Sequence, residues 1–243
     1  MEHNQRVEAL ERELHALYAA MDGGPLDAPV PTCPDWTVED LAHHVGGFCG
    51  FWSHVLCDGT GTTKPVYDDP PRGDAVPGWL RIWSGHLLTQ LRLAPGDLPV
   101  WTWFEADQTA GFVARRAANE LAIHRYDGQS ARGTETPIDA PLAVDCIDET
   151  FEALITRRDR TGEATGQTMH LHGTDEGEAQ AEWLVTLQPD RIDVSHEHAK
   201  GDLAIRATAS DLALILFRRP PLGDVQRFGD DAVLDAWYRE FMF

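Results

Sequence analysis

The chain has 243 residues, 42% hydrophobic and 25% charged, an ordinary make-up for a globular protein that forms one large domain or two small ones. Acidic residues outnumber basic ones 40 to 20, for a net charge of -20, so phosphate backbones and anionic lipid surfaces are repelled and neither nucleic acid nor membrane is expected as a partner. The sequence has no run of about 18 apolar residues. Its four cysteines, Cys33, Cys49, Cys57 and Cys146, lack metal-ribbon spacing, and the charged start of the chain has no apolar signal core, which points to a cytoplasmic setting with free thiols.

Residues 3–22 place Val7, Leu10, Leu14, Leu17 and Tyr18 at steps of three and four, the stripe of an amphipathic helix. The run GGPLDAPVPTCPDW breaks it. Thr37 and Asp40 then form a capping box that opens a second helix carrying His43, His44 and His54. A polar loop follows over 58–77, then a third helix at about 75–93 and a break through APGDLPVW and WTWFEADQTAG. A fourth helix is predicted at about 109–127 and a fifth at about 139–157. Beyond Arg160 the period changes. QTMHLHGTD, AEWLVTLQP, RIDVSHEH and GDLAIRATA are short alternating runs between turn residues, as in strands of an antiparallel sheet. SDLALILFRR and DDAVLDAWYREFMF read as two closing helices. The expected fold class is therefore α+β, with a helical bundle over 1–160 and a small α+β domain over 161–243.

The fourth helix contains NELAIHR. Residues four apart share a helix face, so Glu120 and His124 can aim an oxygen and a nitrogen at one point. On an exposed face the same spacing gives only a weak pair, and two side chains seldom hold a catalytic ion. A third ligand from a facing helix would complete an open site. His44 lies on the face bearing Leu41, Val45 and Phe48, whereas His43 is about 100° away; His43, His54 and His86 remain alternatives. Arg116 and Asp127 stand one turn from Glu120 and His124, where they can orient the ligands. Arg125 points about 100° from that face. Trp36, Trp101 and Trp103 flank helix ends and read as packing residues that can also line a cleft.

PTCPDWTVEDLAHHVGG, VWTW followed by TAGFVARRAANELAIHRYD, and the later blocks AVDCIDE, HLHGTD, AEWLVTL, DLAIRATASDLALILFRR and GDDAVLDAW together resemble the mycothiol-dependent maleylpyruvate isomerase family, in the same order. The resemblance covers almost the entire chain and weakens over 58–77. It implies a four-helix bundle related to the DinB superfamily, followed by a sterol-carrier-like α+β domain. It also implies metal ligands at His44, Glu120 and His124, with Zn²⁺ or another divalent ion and mycothiol as cofactors. In the reaction it implies, the mycothiol thiol adds to the double bond of maleylpyruvate, rotation follows about the temporary single bond, and elimination gives fumarylpyruvate.

A low-molecular-weight thiol and a small electrophile are thus the expected partners, with either cis/trans isomerisation or thiol S-transfer as the outcome. The resemblance also implies a catalytic arginine, placed in LFRRP at Arg219, with Arg218 its close alternative; Arg206 fits less well. Both members of the pair also suit the ordinary role of cations at a helix C-terminus. Two other readings of the residues are a metallohydrolase that uses the same ligands to activate water, and a non-enzymatic small-molecule binding protein.

Overall fold

The computed structural model describes residues 1–58, 69–157, 162, 164–175 and 181–241. Half of the loop expected over 58–77, and the boundary expected near 160, lie outside the described residues. The chain forms two compact units, 1–136 and 137–243.

The first unit is built from four helices: α1 (His3–Asp22), α2 (Val38–Asp58), α3 (Val76–Leu93) and α4 (Ala110–Ser130). α1 packs on α4 and α3, and α2 packs on α3 and α4, closing a four-membered ring. The start of α2 obeys its capping box. Thr37 Oγ1 accepts from the Asp40 amide at 3.2 Å, and Asp40 Oδ2 accepts from the Thr37 amide and hydroxyl at 2.9 and 2.7 Å. Thr109 caps α4 by accepting from the Phe112 amide.

α4 is buried along nearly its whole length. Its alanines, including Ala114, Ala117, Ala118 and Ala122, have no exposed surface and let the neighbouring helices approach closely. Gly46 serves the same end on α2, since a Cβ there would stand 2.1 Å from the Trp79 ring of α3. Arg125, expected to point away from the ligand face, ties α4 to α1: its Nε donates to Glu13 Oε2 at 2.7 Å in a buried pair, and its Nη1 donates to Gln129 Oε1 and the Thr136 carbonyl.

The second unit contains α5 (Ala140–Glu152), a 3₁₀ turn at Leu154–Arg157, and strands β1 (Gln167–Gly173), β2 (Glu182–Leu187), β3 (Ile192–Ser195) and β4 (Leu203–Ala207). These are followed by α6 (Ala209–Leu216), β5 (Gln226–Gly229) and α7 (Ala232–Glu240). α5 belongs here rather than with the bundle because it packs against α6 and because Asp148 accepts from Trp183 Nε1 of β2 at 2.7 Å. The division between units therefore precedes α5.

The sheet order is β3-β2-β1-β4-β5. All pairs are antiparallel except β1 with β4, which run parallel because the chain crosses from β3 over to the far side of β1 before β4 begins. β5 was not anticipated; all four of its residues are exposed, so it has no apolar alternation to read. Met169 and Leu171 of β1, Trp183 and Val185 of β2, and Leu203 and Ile205 of β4 are fully buried on the face against the helices.

Candidate metal centre

His44 is the seventh residue of α2, and Glu120 and His124 lie on the adjacent α4. Packing of the two helices brings all three together: one donor atom from each falls within 4.8 Å of the others. His44 Nε2 is 2.9 Å from Glu120 Oε1, and His124 Nε2 is 3.4 Å from the same oxygen. None of the other histidines on α2 and α3 joins this group, and two of them have contacts elsewhere. His43 Nε2 meets the Pro71 carbonyl at 2.8 Å and its ring abuts Trp79, while His86 packs edge-on to Trp83.

Each of the two α4 residues is held from behind. Arg116 Nη2 donates to Glu120 Oε2 at 2.7 Å, leaving Oε1 turned toward the histidines. Asp127 Oδ2 lies 2.9 Å from His124 Nδ1. A carboxylate only accepts, so Nδ1 carries the hydrogen of that bond and Nε2 is the atom presented to the site. Asp127 is fully buried and is held in turn by Thr32, whose hydroxyl donates to Oδ1 at 2.6 Å; the Cys33 thiol lies 3.6 Å from Oδ2.

Thr32 and Cys33 sit in the turn between α1 and α2. A short ladder pins that turn, with the Val30 amide donating to the Trp36 carbonyl and the Val38 amide to the Ala28 carbonyl. The same turn sets the Trp36 ring against both histidines, 5.0 Å from His44 and stacked 5.9 Å from His124. Trp36 is thus a wall of the site, whereas Trp101 packs on Phe51 and Trp52, and Trp103 on Phe104 and Phe112.

The electrostatics follow from these contacts. Burial works to raise the Glu120 carboxyl, but the Arg116 charge and the hydrogen bonds from His124 and His44 overcome it and hold Glu120 well below the ordinary carboxylate range. Burial likewise opposes a charged His124, yet the bonds to Asp127 and Glu120 lift it to about 9. His44, with a side chain 38% exposed, is the member open to solvent. Cys49 of α2 is fully buried, and burial, then the Glu120 charge, push its thiol upward, so it is not a nucleophile here.

A family model described as the mycothiol maleylpyruvate isomerase N-terminal domain matches residues 7–128, half of the chain, and that span contains all three converging residues. The chain belongs to the mycothiol maleylpyruvate isomerase family. As a member it is a mycothiol-dependent enzyme of the isomerase or thiol-transferase kind. The fold is shared with two crystal structures of mycothiol-dependent maleylpyruvate isomerase, one of them a histidine-to-alanine mutant. Both are 14% identical to this chain with a TM-score of 0.58, over 93% of each chain for the first and 88% of each for the mutant. No curated protein sequence matches the chain.

Arg219 lies in the second unit, just past α6. Arg218 adopts the left-handed conformation, φ 64°, and the Arg219 and Arg218 amides donate to the carbonyls of Leu214 and Ile215, the double bond of a Schellman turn. That turn separates the pair. Arg218 is exposed and lies over the Tyr238 ring at 5.0 Å, while Arg219 is buried and donates from Nη1 to the Phe217 carbonyl at 2.7 Å. Among the described residues no helix is long and apolar enough to cross a membrane.

Proposed function

We propose that the chain is a metal-dependent thiol enzyme in which His44, Glu120 and His124 hold a divalent ion. In this reading such an ion would supply Lewis acidity toward the mycothiol thiol, and the reaction is its addition to a small electrophile, in a maleylpyruvate-type cis/trans isomerisation or a thiol S-transfer. The observation that carries the reading is the convergence of three ligand atoms, two of them from residues whose other atom is already engaged: Glu120 has one oxygen taken by Arg116, and His124 has one nitrogen taken by Asp127. Donors of this N₂O kind suit zinc and also other borderline ions such as nickel or cobalt.

Three protein ligands would leave a coordination position open, and a divalent ion held there would supply the Lewis acidity that lowers a thiol's pKa toward neutral pH. The protein's own contributions surround that position. Arg116 and Asp127 fix the direction in which Glu120 and His124 present their donor atoms. Trp36 walls one side against both rings, and the exposure of His44 leaves an approach for a thiol. Arg219 is proposed, on the family resemblance, as the cation that meets the substrate's carboxylates and developing enolate. Its burial and its bond to the Phe217 carbonyl preset the guanidinium. A cytoplasmic setting, where low-molecular-weight thiols stay reduced, accords with four free cysteines.

The test is turnover by metal-loaded protein of maleylpyruvate and, separately, of a bimane electrophile, each with and without mycothiol. Turnover that needs both metal and mycothiol is expected, and the electrophile consumed separates isomerase from transferase. Equal turnover without any thiol would instead establish the hydrolase reading, and retained ligand binding with no turnover would establish the binding-protein reading.

A further inference from the structure

The second unit carries another convergence of ligand atoms, independent of the bundle site and of its thiol chemistry. Side chains alternate along a strand, so His170 and His172 of β1 project together from the face opposite buried Met169 and Leu171. Glu182, the first residue of β2, is the direct cross-strand partner of His172. The third imidazole comes from the sheet's topology. β3 ends at Ser195, level with Leu184 and hence with His170, and β4 starts at Leu203, level with Met169, with β2 and β1 lying between them. Residues 196–202 must therefore cross both strands, a lateral distance of about 14 Å at the usual strand spacing. His198 lies on that crossing.

All three imidazoles aim at one oxygen. Glu182 Oε1 is 3.2 Å from His170 Nε2, 2.7 Å from His172 Nδ1 and 2.5 Å from His198 Nδ1. The His198 ring lies 5.2 Å from that of His170 and 5.8 Å from that of His172. An ordinary ion pair needs one imidazole per carboxylate, and three on a single oxygen are better explained by a shared centre. A tetrahedral zinc with bonds of about 2.0–2.1 Å spaces its ligand atoms about 3.3 Å apart, so the observed contacts match after movements of under about 1 Å. Donor atoms from all four residues lie within 4.8 Å of one another.

We propose that His170, His172, Glu182 and His198 form a second divalent-metal site, a closed N₃O site for zinc or a similar borderline ion, which pins the 196–202 crossing to the sheet. Four protein ligands fill a tetrahedral ion's coordination, so the site is structural, in contrast to the open three-ligand centre of the bundle.

The experiment is zinc stoichiometry. Full-length protein is stripped with chelator, reloaded with Zn²⁺, freed of excess and measured by elemental analysis. The wild type is compared with a His172→Ala/His198→Ala variant and a His44→Ala/His124→Ala variant. The side chain of His198 is 76% exposed and that of His172 34%, so the first pair leaves the core intact.

About two ions per chain are expected for the wild type and about one for each double variant. In the His44→Ala/His124→Ala background, Co²⁺ should give the visible absorption of a tetrahedral site, abolished by adding His198→Ala. A wild type that binds about one ion, lost with His44 and His124 and indifferent to His172 and His198, would overturn the sheet site. One ion lost only with His172 and His198 would support it while removing the bundle centre, so the two sites are judged separately.

Discussion

Glu120 and Glu182 each draw histidines onto one carboxylate oxygen, but what stands behind the two carboxylates differs. Glu120 is braced by a buried arginine, and its histidine partner by a buried aspartate that is itself held by Thr32. The described contacts of Glu182 are imidazoles alone, and these suffice, against the opposing effect of burial, to hold its carboxyl at about 2. Two rigid helices supply the first set, whereas two strands and a crossing loop supply the second. Outer partners preset the tautomer and direction of a ligand, as an open and reactive centre requires. A centre filled by four ligands is oriented by its ion and needs less support.

Removing a ligand is the largest expected perturbation of this contrast. His44→Ala or His124→Ala should abolish metal retention in the bundle and lower kcat/KM by more than about 100-fold, beyond the roughly 10–100-fold typical of losing an outer partner. Elemental analysis beside steady-state assay reads both, and activity surviving at the wild-type level would detach catalysis from this centre.

Next in size is the loss of an orienting group. Asp127→Asn keeps the shape but not the charge, and metal affinity measured by competition with a chelator should fall about 10–100-fold. The same variant should lower the His124 pKa from its raised value, observable by NMR titration, since Asp127 is the foremost of the groups that lift it.

A third prediction concerns protons. A His124 raised to about 9 is protonated near neutral pH in the metal-free protein, so loading the centre should expel about one proton. Calorimetry in buffers of different ionisation enthalpy counts it, and the affinity should climb as pH rises toward 9. For metal-free protein the sign is the reverse. The stability that protonated His124 contributes is complete below about pH 6.5, the ordinary histidine value, and is lost as pH rises toward its folded value. A thermal scan in chelator that shows no decline across that window would contradict the assignment.

The smallest effect should come from Thr37→Ala at the start of α2, costing about 1 kcal/mol of stability through the lost cap. Denaturant unfolding measures it, and turnover by the folded enzyme should hardly change, because the packing of α2 on α4 keeps His44 in place.

Much of this architecture is legible in the sequence. The stripe on α1, the capping box of α2 and the alternation in β1 to β4 are local patterns, and each produced the element expected. NELAIHR was legible as a ligand pair because its spacing matches the helix repeat. The partnership of His44 with that pair was legible only through the family resemblance, as spacing alone left His43, His54 and His86 open. Trp36 was legible only as one of three tryptophans that could line a cleft, while Thr32, from the same proline-broken turn with no periodicity, and exposed β5 were hidden altogether. The histidine cluster of the second unit left a trace, the H-x-H of β1. Nothing in the sequence linked it to Glu182 or to His198.

By itself, then, the sequence determined which segments are helix or strand, β5 excepted, and which residues share a face, because those depend on neighbours within a turn or two. Tertiary structure decided what faces what. α2 had to pack on α4 for His44 to reach Glu120, the chain had to divide before α5, and the crossing from β3 to β4 had to lay His198 over Glu182. Each of these sets side chains distant along the chain within a few ångströms, and such proximity is fixed by packing and strand order, to which the local repeat of a helix or strand is blind.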